Sequence, residues 1–117
     1  MKKTIDIFRA LADETRLRIY LLLTKQEMCV CELVSILKME QSRISHSLRI
    51  LKDTGLLCKY RQEKWIIYST SPELQKDKII QTVKDKLKLS KSDMQNLAKC
   101  KRENVRQKQG GCRWKEK

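Results

Sequence analysis

Cys29 and Cys31 stand one residue apart in the stretch MCVCELV, residues 28–34, at the start of an apolar helical pattern. Two thiolates at that spacing can chelate a soft ion, because sulfur donors select thiophilic metals and metalloids. The same pair can also be oxidised, and cysteine is equally used as a small buried apolar residue. In an extended chain, residues two apart project to one side, whereas in a finished helical turn they do not face each other. The spacing therefore predicts that one ion bridges the pair only where that turn is strained or unwound.

Three more cysteines, Cys58, Cys100 and Cys112, follow. Five in all, an odd number at irregular spacings, predict thiols in a reducing compartment rather than a disulfide framework. Cys58 opens a strand pattern and is expected to pack, while Cys100 and Cys112 are candidate further metal ligands. A thiol enzyme would need an activating base or a Cys-x-x-Cys pair on an alternating α/β scaffold. The chain has neither the Cys-x-x-Cys spacing nor alternating strands and helices, so no enzyme is expected.

A formal net charge of +13 on 117 residues favours a polyanionic partner through phosphate neutralisation and counterion release. Nucleic acid is the leading candidate. The chain opens MKKTIDIF, with no apolar run of signal-peptide length there and none long enough to cross a bilayer elsewhere. A cytoplasmic protein without a membrane partner is expected. The length suits one domain with a modest core, to which a partner subunit commonly contributes.

Residues 4–12 place Ile5, Phe8, Leu11 and Ala12 at helical spacing, and Asp13 can cap a second, nearly all-apolar helix from Glu14. A short third helix carries Leu33, Ile36 and Leu37. In the fourth, Ile44, Leu48 and Leu51 share one face, and Gly55 is a left-handed cap with Leu56 packing back. The other face of that helix displays Ser42, Arg43, Ser45, His46 and Arg49, with Gln41 at its start; these are the candidate DNA-reading residues. Two helices joined by a tight turn match a helix-turn-helix, whose second helix enters the major groove.

From Leu56 the pattern changes to aromatic and β-branched residues on both sides of Gln62-Glu63-Lys64, which predicts a β-hairpin. Its turn lacks glycine, which predicts a longer or looser loop. Arg61 and Lys64 near the tip suit phosphates or the minor groove. Ser71-Pro72-Glu73 has the composition of a helix start, and Leu74, Ile80, Val83 and Leu87 trace a stripe for a second subunit to cover. Ser90 or Ser92 starts a further helix with Met94, Leu97 and Ala98. The expected fold is mainly α with a β-hairpin wing: a winged helix-turn-helix acting as a homodimer. Residues 1–89 form the DNA-binding and dimerisation domain, and 90–117 a basic C-terminal extension, partly helical and then flexible.

The segments FRALADETRLRIYLLL, MCVCELV, QSRISHSLRILKDTGLL and KWIIYSTSPEL, in that order over about residues 5–75, resemble successive signatures of the ArsR/SmtB family. These are metal-responsive winged-helix repressors, and the likeness is to the arsenic-responsive members in particular. The resemblance implies a homodimeric repressor of an arsenic or metalloid resistance operon. It implies that As(III) or Sb(III), bound as inducer by Cys29 and Cys31, releases the operator. A cadmium- or lead-responsive repressor, or a thiol-based redox or sulfur sensor of the same fold, is the alternative.

The sequence also departs from that family. Val34 stands where arsenic-responsive relatives often have a third cysteine, so a third donor must be Cys100, Cys112 or a small ligand. The carboxylate/histidine zinc site of the last helix is absent, since His46 is the only histidine. Ser47 and Glu63 replace a histidine and a wing glycine. The turn at Cys29–Cys31 begins the helix that props the recognition helix, so a ligand preferring the unwound form disfavours DNA binding by linkage.

Overall fold

The computed structural model describes residues 2–103, and Cys112 lies outside them. Helix α1 (Lys2–Leu11) leads into α2 (Glu14–Lys25), whose first turn is capped by Asp13 accepting the Arg16 N–H at 3.0 Å. Arg16 binds the α1–α2 corner as well: its Nε donates to the Ala10 carbonyl at 2.7 Å and its Nη2 to that of Arg9 at 3.2 Å. Those carbonyls end α1 and have no partner within it. Ile19 to Leu23 are all buried, which makes α2 the central helix of the core.

Strand β1 (Met28–Cys29) and helix α3 (Val30–Leu37) come next. Lys38 closes α3 in the left-handed region at φ 56°, a conformation that costs a residue with a Cβ about 1–2 kcal/mol. Helix α4 (Gln41–Asp53) buries Ile44, Ser47, Leu48 and Leu51. It ends as its sequence predicts. Gly55 takes φ 90°, its N–H bonds the Lys52 carbonyl, and the Leu56 N–H reaches back to Leu51. Leu56 is buried in the core, completing a Schellman cap.

Strands β2 (Leu57–Gln62) and β3 (Trp65–Thr70) form the wing, paired from Leu57 opposite Thr70 to Gln62 opposite Trp65. The turn is therefore two residues, Glu63-Lys64, and not the looser loop expected from its lack of glycine. Pairing right up to the tip forces Glu63 to φ 57°. A third antiparallel strand, unforeseen in the sequence, joins the sheet. β1 pairs with β3, Met28 opposite Tyr68 and Cys29 opposite Ile67, in the order β1-β3-β2.

Ser71-Pro72-Glu73 starts only a single 3-10 turn (Pro72–Leu74), and Ser71 makes no side-chain cap bond. The helix expected there begins later, as α5 (Lys78–Lys86), because Asp77 supplies the cap by accepting the Ile79 N–H at 2.8 Å. Ile80 is buried on it, whereas Leu87 is its exposed C-cap. Helix α6 (Lys91–Glu103) is capped by Ser90, whose Oγ accepts the Asp93 N–H. The described part of residues 90–117 packs on the fold: Leu97 and Cys100 enter the core, and the Asn96 amide donates to the Ile36 carbonyl at 3.0 Å. On α1, Ile7, Ala10 and Leu11 face the core, while Ile5 and Phe8, expected on the same stripe as Leu11, point outward. No helix among the described residues is long and apolar enough to cross a membrane.

Candidate metal centre and nucleic-acid interface

The thiol pair sits where the sheet hands the chain to α3. Cys29 is the last residue of β1 and the N-cap of α3, with extended angles of φ −94° and ψ 172°. Cys31 lies in the first turn. The two sulfurs are in contact at 2.9 Å, as thiols and not as a disulfide. This corrects the sequence argument, which set both residues in one helical turn and required unwinding to bring them together. With Cys29 in the strand, the sulfurs converge without any unwinding.

Three features hold that geometry. The backbone of Cys29 is fixed by the strand pairing to Ile67. Its N–H donates to Glu32 Oε1 at 3.0 Å, so the acid of the Cys-x-Cys-acid run is the returning arm of a capping box. Third, Cys29 packs with Trp65 and Ile67 of β3 in a small apolar cluster, with Cys31 against it. Cys29 is buried and Cys31 partly exposed, so the pair is reachable from one side.

Among the described residues, Cys58 and Cys100 stand apart from the pair. Cys100 is buried in the main core on α6. No group of three or more His, Cys, Asp or Glu that could hold a metal exists among the described residues. Cys58 is exposed, its sulfur 3.2 Å from Ser69 Oγ, because it occupies the outward phase of β2; it does not pack as expected. Among the described residues the donor set at the pair is thus two soft sulfurs, which suits a thiophilic ion.

On α4, Ser42, Arg43, His46 and Arg49 are exposed, and Gln41 and Ser45 partly so. Gln41 Nε2 donates to Ser45 Oγ at 2.6 Å, and Arg43 Nη2 to Thr15 Oγ1 on α2 at 3.0 Å. Arg43 therefore also fixes α4 against the core, leaving His46 and Arg49 as the outward pair one turn on. At the wing tip, Arg61 Nε bonds the Glu63 carbonyl at 3.1 Å, and the Lys64 ammonium lies 5.6 Å from the Trp65 ring centroid. The Tyr60 hydroxyl of β2 donates to Glu27, two residues ahead of Cys29.

Glu32 and Trp65 were not singled out in the sequence. The acid at the third helical position could have revealed Glu32 as a capping partner. Nothing local reveals Trp65, which meets the thiols only through the β1–β3 pairing.

A model of the family described as bacterial regulatory protein, arsR family, matches residues 13–59, from the cap of α2 into β2. The chain is 46% identical over 71 residues to the arsenical resistance operon repressor of Escherichia coli K12, covering 60% of this chain and 61% of that one. It is 38% identical over 74 residues to the arsenical resistance operon repressor of Bacillus subtilis 168, covering 62% of this chain and 70% of the relative. The chain belongs to the arsR family. Among solved structures of the arsR fold, the homodimeric winged helix-turn-helix DNA-binding domain of Mb0332 from Mycobacterium bovis superposes with a TM-score of 0.63 at 26% identity, over 73% of this chain and 81% of that one. The arsR family is one of regulatory proteins and not of enzymes. The chain spans about six tenths of the length of the E. coli relative.

Proposed function

We propose that this arsR-family protein is a homodimeric repressor of a metalloid resistance operon, releasing double-stranded operator DNA when Cys29 and Cys31 grip As(III) or Sb(III). The observation that supports the reading best is the 2.9 Å contact between two sulfurs on different elements, a strand end and a helix start. Two thiolates bound to one ion at about 2.3 Å each, at an S–ion–S angle of about 90–110°, stand about 3.3–3.8 Å apart. Occupation must therefore part these sulfurs. One is fixed in the sheet, so the strain falls on the first turn of α3, and α3 packs on α4.

That linkage replaces wholesale unwinding with a small shift at a junction. A coupling of about 1–3 kcal/mol lowers operator affinity about 5- to 150-fold. The two thiolates suffice to hold the ion, with a small ligand from solution completing its shell; neither Cys100 nor Cys112 is required. Exposed Ser42, His46 and Arg49, with Arg43, Gln41 and Ser45 beside them, meet the major groove, and Arg61 and Lys64 meet the backbone. Exposed Phe8 of α1 with the partly buried Ile79 and Val83 of α5 forms an apolar strip, which a second copy covers. The protein works in the cytoplasm, where its thiols stay reduced.

The sulfur contact favours one other reading. Two thiols this close can pass two electrons and two protons to a peroxide, forming a disulfide and two waters. Cadmium or lead would use the same sulfurs. Operator binding at fixed salt, titrated in parallel with arsenite, antimonite, cadmium, lead, zinc and hydrogen peroxide, separates these. Arsenite and antimonite are expected to release the operator and zinc is not. Release by cadmium, lead or peroxide with none by arsenite replaces the reading.

A further inference from the structure

Trp65 is the first residue of β3 after the wing turn, and it lies against the thiol pair. It is only 9% exposed, and its Nε1 is buried with no hydrogen-bond partner among the described residues. A buried indole N–H normally has a partner, so this one is held by packing alone. Trp65 and Ile67 share a face of β3 at period two, and Ile67 is opposite Cys29. The same ring carries the Lys64 ammonium at 5.6 Å. One side chain thus touches the candidate ion site and a cation at the wing tip.

We propose that Trp65 transmits occupation of the Cys29–Cys31 pair to the wing, shifting Lys64 and the tip away from their DNA-bound position. The inference rests on the reading of the pair as the inducer site and adds a second route of release beside the α3–α4 contact. As the sulfurs separate around an ion, the indole packed on them has to move. β3 is tied to β1 at Met28 and Cys29, and β2 to Glu27 through Tyr60, so the base of the wing is anchored. The motion of the ring is therefore expressed at the tip, two residues wide, where Lys64 adjoins it. Trp65 is a positioning residue: it needs no bond to the ion.

The test uses the full chain in two measurements. In the Trp114→Phe protein, Trp65 is the remaining tryptophan, and arsenite is expected to change its emission with the midpoint at which operator is released. Cys29→Ser abolishes the change. In Trp65→Leu and Trp65→Phe, the reading is the ratio of operator affinities without and with saturating arsenite, so any change in basal affinity divides out. The ratio is expected to fall by about fivefold or more in Trp65→Leu, with Trp65→Phe between it and the parent. If neither variant folds, the emission measurement decides. An unchanged ratio in either folded variant, or silent emission at arsenite concentrations that release the parent, overturns the inference alone. Failure of arsenite to release the parent protein overturns the inducer reading and this inference with it.

Discussion

Asp93 of α6 meets Arg18 of α2 through two hydrogen bonds, from Nη2 to Oδ1 at 2.8 Å and from Nε to Oδ2 at 2.9 Å. Asp93 is 1% exposed, whereas Arg18 is partly open to solvent. The paired carboxylate raises the guanidinium pKa above its ordinary value, chiefly through the hydrogen bonds, against the opposing cost of burial. The last helix is thus latched to the central one by a bidentate pair.

Removing Arg18 strands a buried carboxylate. Arg18→Met is expected to lower unfolding stability by about 2 kcal/mol, below the 3–5 typical of a fully buried pair because Arg18 is partly solvated. Urea unfolding followed by circular dichroism checks it. Asp93→Asn, which leaves no bare charge in the core, costs less.

Tyr20 of α2 has a buried hydroxyl with no hydrogen-bond partner among the described residues. Burial, reinforced by the negative charge of Asp77, pushes its pKa from 10.0 up to about 12. A raised folded pKa means that the stabilisation is fully present below pH 10 and is lost as pH climbs toward 12, by up to about 3 kcal/mol. Tyr20→Phe is expected to match or exceed parent stability at pH 7, since no bond is lost, and to lose less between pH 10 and 12. Equal losses in the two proteins contradict this.

Phe8 is 54% exposed beside Ile79 and Val83. If a second copy covers this strip, Phe8→Glu brings a charge into an apolar interface. Sedimentation is expected to change from dimer to monomer, with loss of operator affinity because a single copy reaches only one half-site. A dimer that persists at micromolar concentration argues for another interface.

At the wing, Arg61→Gln and Lys64→Gln are expected to weaken binding to all DNA sequences alike. Each reduces the slope of log affinity against log salt by about 0.9 if it removes one phosphate contact. Arg49→Ala should instead alter the preference between operator and unrelated DNA. A wing variant that changes sequence preference without changing the salt slope reverses these assignments.

Local signals were legible wherever one residue type decides the backbone. Asp13 as a cap and Gly55 as a left-handed stop are both found where their chemistry predicts. The apolar periods of α2, α3 and α4, with the strand pattern on either side of Gln62-Glu63-Lys64, made the winged helix-turn-helix readable. Competing local signals misled. Ser71-Pro72 resembles a helix start, yet Asp77 provides the cap that is used.

Long-range pairing was invisible. A two-residue strand has no period to detect, so β1 could not be foreseen, and with it went the geometry of the thiols. Cys29 is extended because it pairs with Ile67, a residue with no sequence relation to it. The glycine-free turn is tight for the same reason: the strands on either side impose a left-handed conformation on Glu63. Ile5 and Phe8 satisfy a helical period without being core, since an apolar stripe does not say which body covers it.

The adjacent thiols of Cys29 and Cys31 are best interrogated by operator anisotropy during arsenite titration of the parent and of Cys29→Ser, Cys31→Ser and a Cys100→Ala, Cys112→Ser double variant. The parent and the double variant are expected to release DNA, and each single serine variant to stay bound throughout. Release from either serine variant at the concentration that frees the parent would contradict the two-sulfur switch.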